Sequence, residues 1–143
     1  MIHGDTALGD VDNDGDLDAI VTNGDWRSIG YPTLVFLNDG SGQFTDSGQT
    51  LSAVRNANVG LGDLNGDGYL DMVFTDFEEP NQIWINDGAG QFIDSEFRFG
   101  AGQLYRHAHL GDLDQDGDLD IFLATFGMGR GPNEIWFNTT ALE

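Results

Sequence analysis

Cysteine is absent from the 143 residues, which excludes disulfides and thiolate chemistry alike. Lys and Arg together number five, against 25 Asp and Glu, for a formal net charge of −20. So few cations argue against nucleic acid as a partner, because its phosphates need Lys and Arg to neutralise them. The same shortage argues against an anionic membrane surface. No apolar run approaches the length of a membrane span. The first residues lack the charged and apolar stretches of a signal peptide. A leader removed beforehand would leave the same sequence, so this does not argue for a cytoplasmic home. No window shows helical periodicity flanked by caps. A serine–histidine–acid or cysteine nucleophile pattern is missing too, so the reading is noncatalytic.

What is present is a core and a repeat. The apolar fraction is 39% and the aromatic fraction 11%, too high for a solvated acidic tail. The length suits one domain. Leu8-Gly9-Asp10 returns as Leu61-Gly62-Asp63 and Leu110-Gly111-Asp112, about every 50 residues. Each start leads into an apolar run, at Ala19–Thr22, Met72–Thr75 and Ile121–Thr125. A second run follows, Leu34–Asn38, Ile83–Asn86 and Ile135–Asn138. Asn38-Asp39-Gly40 and Asn86-Asp87-Gly88 then carry the Asp-Gly signal of a hairpin, because Gly accepts the positive φ of a tight turn. Closing strands are expected near 43–51 and 91–99. Short strands in groups of four at this period describe an all-β chain of β-propeller blades. The units run approximately over 4–52, 53–103 and 104–140, the last stopping before its fourth strand. Ala141-Leu142-Glu143 reads as a cloning remnant.

One sheet cannot bury both faces alone, so units must stack. Leu8, Leu61 and Leu110, with Val35, Ile83 and Ile135, are the expected packing residues. Phe36, Trp84 and Trp136 share one repeat position and are read as packing aromatics. Three units fall short of the four to eight of a closed propeller, which leaves faces and edges bare. Self-association is expected, most simply two chains in a six-bladed ring. The alternative is that the sequence is a piece of a longer chain.

The acid is concentrated at the unit starts. Asp10, Asp12, Asp14, Asp16 and Asp18 form one cluster. Asp63, Asn65, Asp67, Tyr69 and Asp71 form the second, and Asp112, Asp114, Asp116, Asp118 and Asp120 the third. All fit D-x-[DN]-x-D-G-x-x-D. Carboxylates at positions 1, 3 and 5 of a tight loop can converge, Gly at 6 permits the reversal, and the residue at 7 can offer its carbonyl. The residue at position 9 would close the shell. Hard oxygen ligands without His or Cys favour Ca²⁺, at three sites per chain. A solvated acidic turn gives no reason for acid to recur in register three times. A helix-flanked calcium loop would place acid at position 12, where Val21, Phe74 and Leu123 stand. Paired catalytic carboxylates fit poorly, since such a pair needs two different environments.

The run Leu-Gly-Asp-x-Asp/Asn-x-Asp-Gly-x-Leu-Asp, a strand, then Asn-Asp-Gly-x-Gly-Gln-Phe resembles VCBS and FG-GAP repeats, the blade units of integrin-α-like propellers. The likeness covers nearly the whole chain. It implies calcium in the loop between the first and second strands of a blade, and a secreted or cell-surface adhesion or recognition module. Asn65 in place of Asp departs from the pattern and weakens the middle site.

A ligand would meet the face opposite these loops, where the connections vary most. Trp26, Tyr31, Phe77, Phe126 and Arg130 stand there, suited to stacking on a carbohydrate or anchoring a protein partner. Tyr105, His107 and His109 alternate along a strand and are expected on one face, lining the central channel or upper rim. The competing readings are a purely structural repeat of a larger extracellular protein and, less favoured, a propeller-type polysaccharide hydrolase or lyase.

Overall fold

The computed structural model describes residues 4–23, 31–51, 58–76, 79–100, 105–125 and 131–139. Every regular element among them is a strand. The first sheet holds β1 (Thr6–Gly9), β2 (Asp18–Asn23), β3 (Tyr31–Asn38) and β4 (Phe44–Asp46) in chain order. The second holds β5 (Asn58–Gly62), β6 (Asp71–Thr75), β7 (Asn81–Asn86) and β8 (Phe92–Phe99), likewise in order. The third has β9 (Tyr105–Gly111), β10 (Asp120–Thr125) and β11 (Glu134–Trp136). All pairings are antiparallel. The third sheet has three strands among the described residues. The first strands lie side by side, β1 against β5 and β5 against β9, so the sheets stack as blades do.

Alternation along a strand distributes its side chains between two cores. In β6, Met72 and Phe74 join Val11, Ile20, Val35 and Val59 between the first and second sheets. Val73 points the other way, joining Leu64, Ile83, Ile121 and Leu123 between the second and third. Every residue of β6 is therefore buried. Of the expected packing residues, Val35 and Ile83 are buried and Leu61 and Leu110 partly so. Leu8 and Ile135 are 60% and 47% exposed, because each lies on an outer face with no sheet beyond it among the described residues. Trp84 packs on the first core, and Trp136 meets Phe99 edge-on at 5.3 Å.

Two expectations need correction. The fourth strand of the first unit is shorter than 43–51, ending at Asp46. Ser47 still donates its amide to the Val35 carbonyl, but Gly48 turns at φ 77° while its N–H donates to Asp46 Oδ1. That turn interrupts the pairing, which the chain meets again only at Leu51, whose N–H donates to the Thr33 carbonyl at 3.4 Å. The second correction concerns Tyr105, which does not share a face with His107 and His109. A register shift pairs Ala124 with His107 and Thr125 with Tyr105, so Arg106 bulges out and the alternation reverses. His107 and His109 stay exposed with rings 5.9 Å apart, whereas Tyr105 turns into the second core, 2% exposed.

Candidate metal centre

Each acidic loop joins the first strand of its sheet to the second. The loop folds by its own hydrogen bonds, with the first Asp as hub. Asp10 Oδ1 accepts from Asp14 N at 3.1 Å, and Oδ2 from Gly15 N at 3.1 Å. Asp63 accepts likewise from Asp67 N at 3.1 Å and Gly68 N at 2.8 Å, and Asp112 from Gly117 N at 3.2 Å. The position-6 glycines Gly15, Gly68 and Gly117 have φ of 97°, 91° and 101°, a reversal that a side chain would strain. Position 5 accepts in turn from position 7, as Asp14 does from Asp16 N at 3.0 Å. Asp67 does so from Tyr69 N at 2.9 Å, and Asp116 from Asp118 N at 3.0 Å. The side chains of Asp16 and Tyr69 lie against Gly40 and Gly88 of the neighbouring hairpin, where a Cβ would push them aside.

The ninth residue has a second task that sequence reading missed. Asp18, Asp71 and Asp120 are fully buried. Asp18 accepts from Val11 N and Asn38 N, both at 2.9 Å. Asp71 accepts from Leu64 N at 3.0 Å and Asn86 N at 2.9 Å, and Asp120 from Leu113 N at 2.8 Å and Asn138 N at 2.9 Å. This carboxylate ties the loop to the third strand. The asparagine answers: Asn86 Nδ2 donates to Leu70 O at 3.1 Å and, across the sheets, to Val11 O at 2.8 Å. Asn138 Nδ2 reaches Leu64 O at 2.8 Å. An Asn at or just beyond the end of the third strand of every unit was the signal available for this clasp. Gln49 makes a further tie, from Nε2 to Gly90 O at 2.6 Å and from Phe92 N to its Oε1 at 2.8 Å, with no repeat counterpart to announce it.

The three loops differ in how tightly their acids converge. Carboxylate oxygens of Asp10, Asp12 and Asp18 lie within 4.8 Å of one another, as do those of Asp112, Asp114 and Asp116. No such trio forms in the middle loop; there Asn65 Nδ2 donates to Asp67 Oδ2 at 2.8 Å, placing an amide where the other loops have only acid. Crowding shows in the electrostatics. Burial and then the Asp18 charge hold the Asp12 carboxyl above the ordinary carboxylate range. Burial and the charges of Asp116 and Asp120 do the same for Asp114. Asp71 is raised chiefly by burial, with Asp67 and Asp63 adding to it. The trios Asp10, Asp12 and Asp18, and Asp112, Asp114 and Asp116, are donor sets that fit a hard divalent cation, whereas Asp14 and Asp120, also expected as ligands, fall outside them.

Of the residues expected to meet a ligand, Tyr31 opens β3 and is 66% exposed, and His107 is exposed on β9. Tyr105 is buried, so its ring faces the core; burial and the neighbouring Glu134 carboxylate push its phenol upward, and no well-formed hydrogen bond reaches the hydroxyl. Trp26, Phe77, Phe126 and Arg130 lie outside the described residues.

Residues 10–74 and 63–123 each match a family model described as FG-GAP-like repeat. No curated protein matches the chain.

Proposed function

The chain belongs to the FG-GAP-like repeat family, blade units of β-propeller type, and from that premise we propose that it is a noncatalytic calcium-binding module of a secreted or cell-surface protein. The carrying observation is the pair of carboxylate trios, each within 4.8 Å and each sited between the first and second strands of its sheet. Carboxylates this close repel unless a cation lies among them. Asp10, Asp12, Asp14 and Asp18 would hold one ion, and Asp112, Asp114, Asp116 and Asp120 another. Asp63, Asn65, Asp67 and Asp71 form the weaker third. Bound Ca²⁺ supplies positive charge that cancels mutual repulsion; the loops themselves tie first strand, second strand and third strand together through Asp18, Asp71 and Asp120. The role is structural.

Recognition of a carbohydrate or protein ligand is assigned to the opposite end of the sheets, where Tyr31 presents an exposed ring at the start of β3. Titration calorimetry with Ca²⁺ tests the metal reading, with two tight sites and one weaker expected. Heat absent at all three would end it. A glycan array probed with the calcium-loaded chain tests the recognition reading, and uniform silence would favour a purely structural repeat.

A further inference from the structure

Within the chain, the front face of one sheet packs twice on the back face of the next. The two contacts share their parts. Gly9 gives way to Leu61 and Leu70, whose methyl carbons stand 2.9 and 2.7 Å from where a Cβ on Gly9 would be. Gly62 receives Leu110 and Leu119 in the same manner, at 2.7 and 2.8 Å. An asparagine clasp crosses each contact, Asn86 to the Val11 carbonyl and Asn138 to the Leu64 carbonyl. At the inner end of the first contact, Asp5 Oδ2 accepts from Asn58 Nδ2 at 3.1 Å and from Val59 N at 3.2 Å.

Each half of a third such contact is present, and they lie on opposite ends of the chain. Gly111 repeats Gly9 and Gly62, yet within 4 Å of its missing Cβ only Leu113 stands. Leu8 and Leu17 repeat the inserted leucine pair and are 60% and 56% exposed, whereas Leu61, Leu70, Leu110 and Leu119 are partly buried. Asn38 donates to its own Leu17 carbonyl at 3.1 Å but, among the described residues, to no neighbouring sheet. Leu113, 47% exposed, occupies the place of Val11 and Leu64, whose carbonyls take the clasp. Ile135, 47% exposed, completes the bare front face.

We infer that a second copy of this chain covers both faces: Leu8 and Leu17 of one copy seat against Gly111 of the other, with Asn38 clasping the Leu113 carbonyl. The inference rests on the blade reading above. Continuity favours this occupant, since the missing contact is the one the chain already makes with itself. Charge agrees. The repeat sets His107, in the place of Asp5, opposite Asp5 of the second copy, so a base meets an acid. His109 brings bulk to this seam where Ala7 and Gly60 stand within the chain. A front-to-back contact made twice between two three-sheet chains closes on itself as a six-sheet ring, within the four to eight of known propellers.

Sedimentation in saturating Ca²⁺ should give twice the 15.5 kDa chain mass. Gly111→Val fills the cradle without meeting backbone, and Leu8→Arg places charge on the opposite face. Both should weaken association roughly tenfold or more, the scale of a lost interface anchor, while circular dichroism and calcium-dependent melting persist. Ile93→Arg, equally exposed at 65% but on β8, should leave the mass doubled. Because the chain has no cysteine, a short bis-maleimide reads single pairs without background. Leu8→Cys mixed with Gly111→Cys should give a covalent two-chain product, and neither variant alone should. A single-chain mass in calcium, open assemblies larger than two, or Leu8→Cys joining to itself would overturn the seam. Failure of calcium to bind or to raise the melt would count against the functional proposal separately.

Discussion

The middle sheet and its two neighbours reach order by different means. β6 is buried along its whole length because it serves two cores, and its loop is the one where an amide replaces an acid. The outer sheets each leave a face bare, with Leu8 and Ile135 in the open, and their loops gather three carboxylates within 4.8 Å. Apolar burial carries the centre. At the flanks only one face is packed, so strand connections depend more on the acidic loops and the ion proposed for them.

Removing calcium should strike the flanks hardest and give the largest effect. A site filled at 100 times its dissociation constant contributes about 2.7 kcal/mol, and two such sites rival a typical domain's net stability of roughly 5–15 kcal/mol. Excess EDTA is therefore expected to lower the melting temperature steeply in scanning calorimetry, with amide exchange rising first in β2 and β10. An unchanged melt would remove the distinction between centre and flank.

Core truncation should show the reverse pattern. Phe74→Ala, in a fully buried position, should cost about 3–5 kcal/mol by denaturant unfolding. Ile135→Ala, half exposed on the third sheet, should cost below about 1 kcal/mol in the separated chain. Equal losses would mean that the outer faces are already covered.

Asn65→Asp converts the middle loop to the acidity of its neighbours. The variant should bind its ion more tightly by about tenfold, or about 1.4 kcal/mol, bringing the three sites toward equivalence in calorimetry. In EDTA the same change should destabilise, since it adds charge with nothing to oppose it.

The smallest effect concerns protons in the ion-free chain. Asp12, Asp71 and Asp114 are raised above the ordinary carboxylate range, so the folded chain takes up these protons more readily than the unfolded chain. Stability in EDTA should therefore rise as pH falls through the window just above about 4, until the unfolded carboxylates protonate as well. Asp94 runs oppositely: the Arg98 hydrogen bond lowers it, so its contribution is complete above its ordinary range and lost as pH falls through the depressed value. Saturating calcium should abolish the rise, because the ion then occupies the loops in place of protons. Chemical unfolding across pH, with and without calcium, measures the difference.

Much of this was legible without coordinates. Leu-Gly-Asp returning in step marks where each sheet begins, and the loop residues hold their own geometry through contacts seven residues apart or fewer, such as Asp10 with Asp14 and Gly15 and Asp18 with Val11. Strand ends were less legible. β4 stops at Asp46 because Gly48 turns, and Tyr105 leaves the histidine face because Arg106 bulges, both decided by how neighbouring strands align. Gln49 clasping the hairpin of the next sheet has no repeated partner in the chain, so no pattern pointed to it.

Local chemistry thus sets the repeat and the geometry of the acidic loops, because those depend on residues close along the chain. Burial of β6 on both faces, the clasps of Asn86 and Asn138, and the contrast between sheltered Leu61 and open Leu8 arise only when sheets stack. Identical motifs acquire different fates from what stands beside them, since a leucine is buried by its neighbours in space and not by its neighbours in sequence.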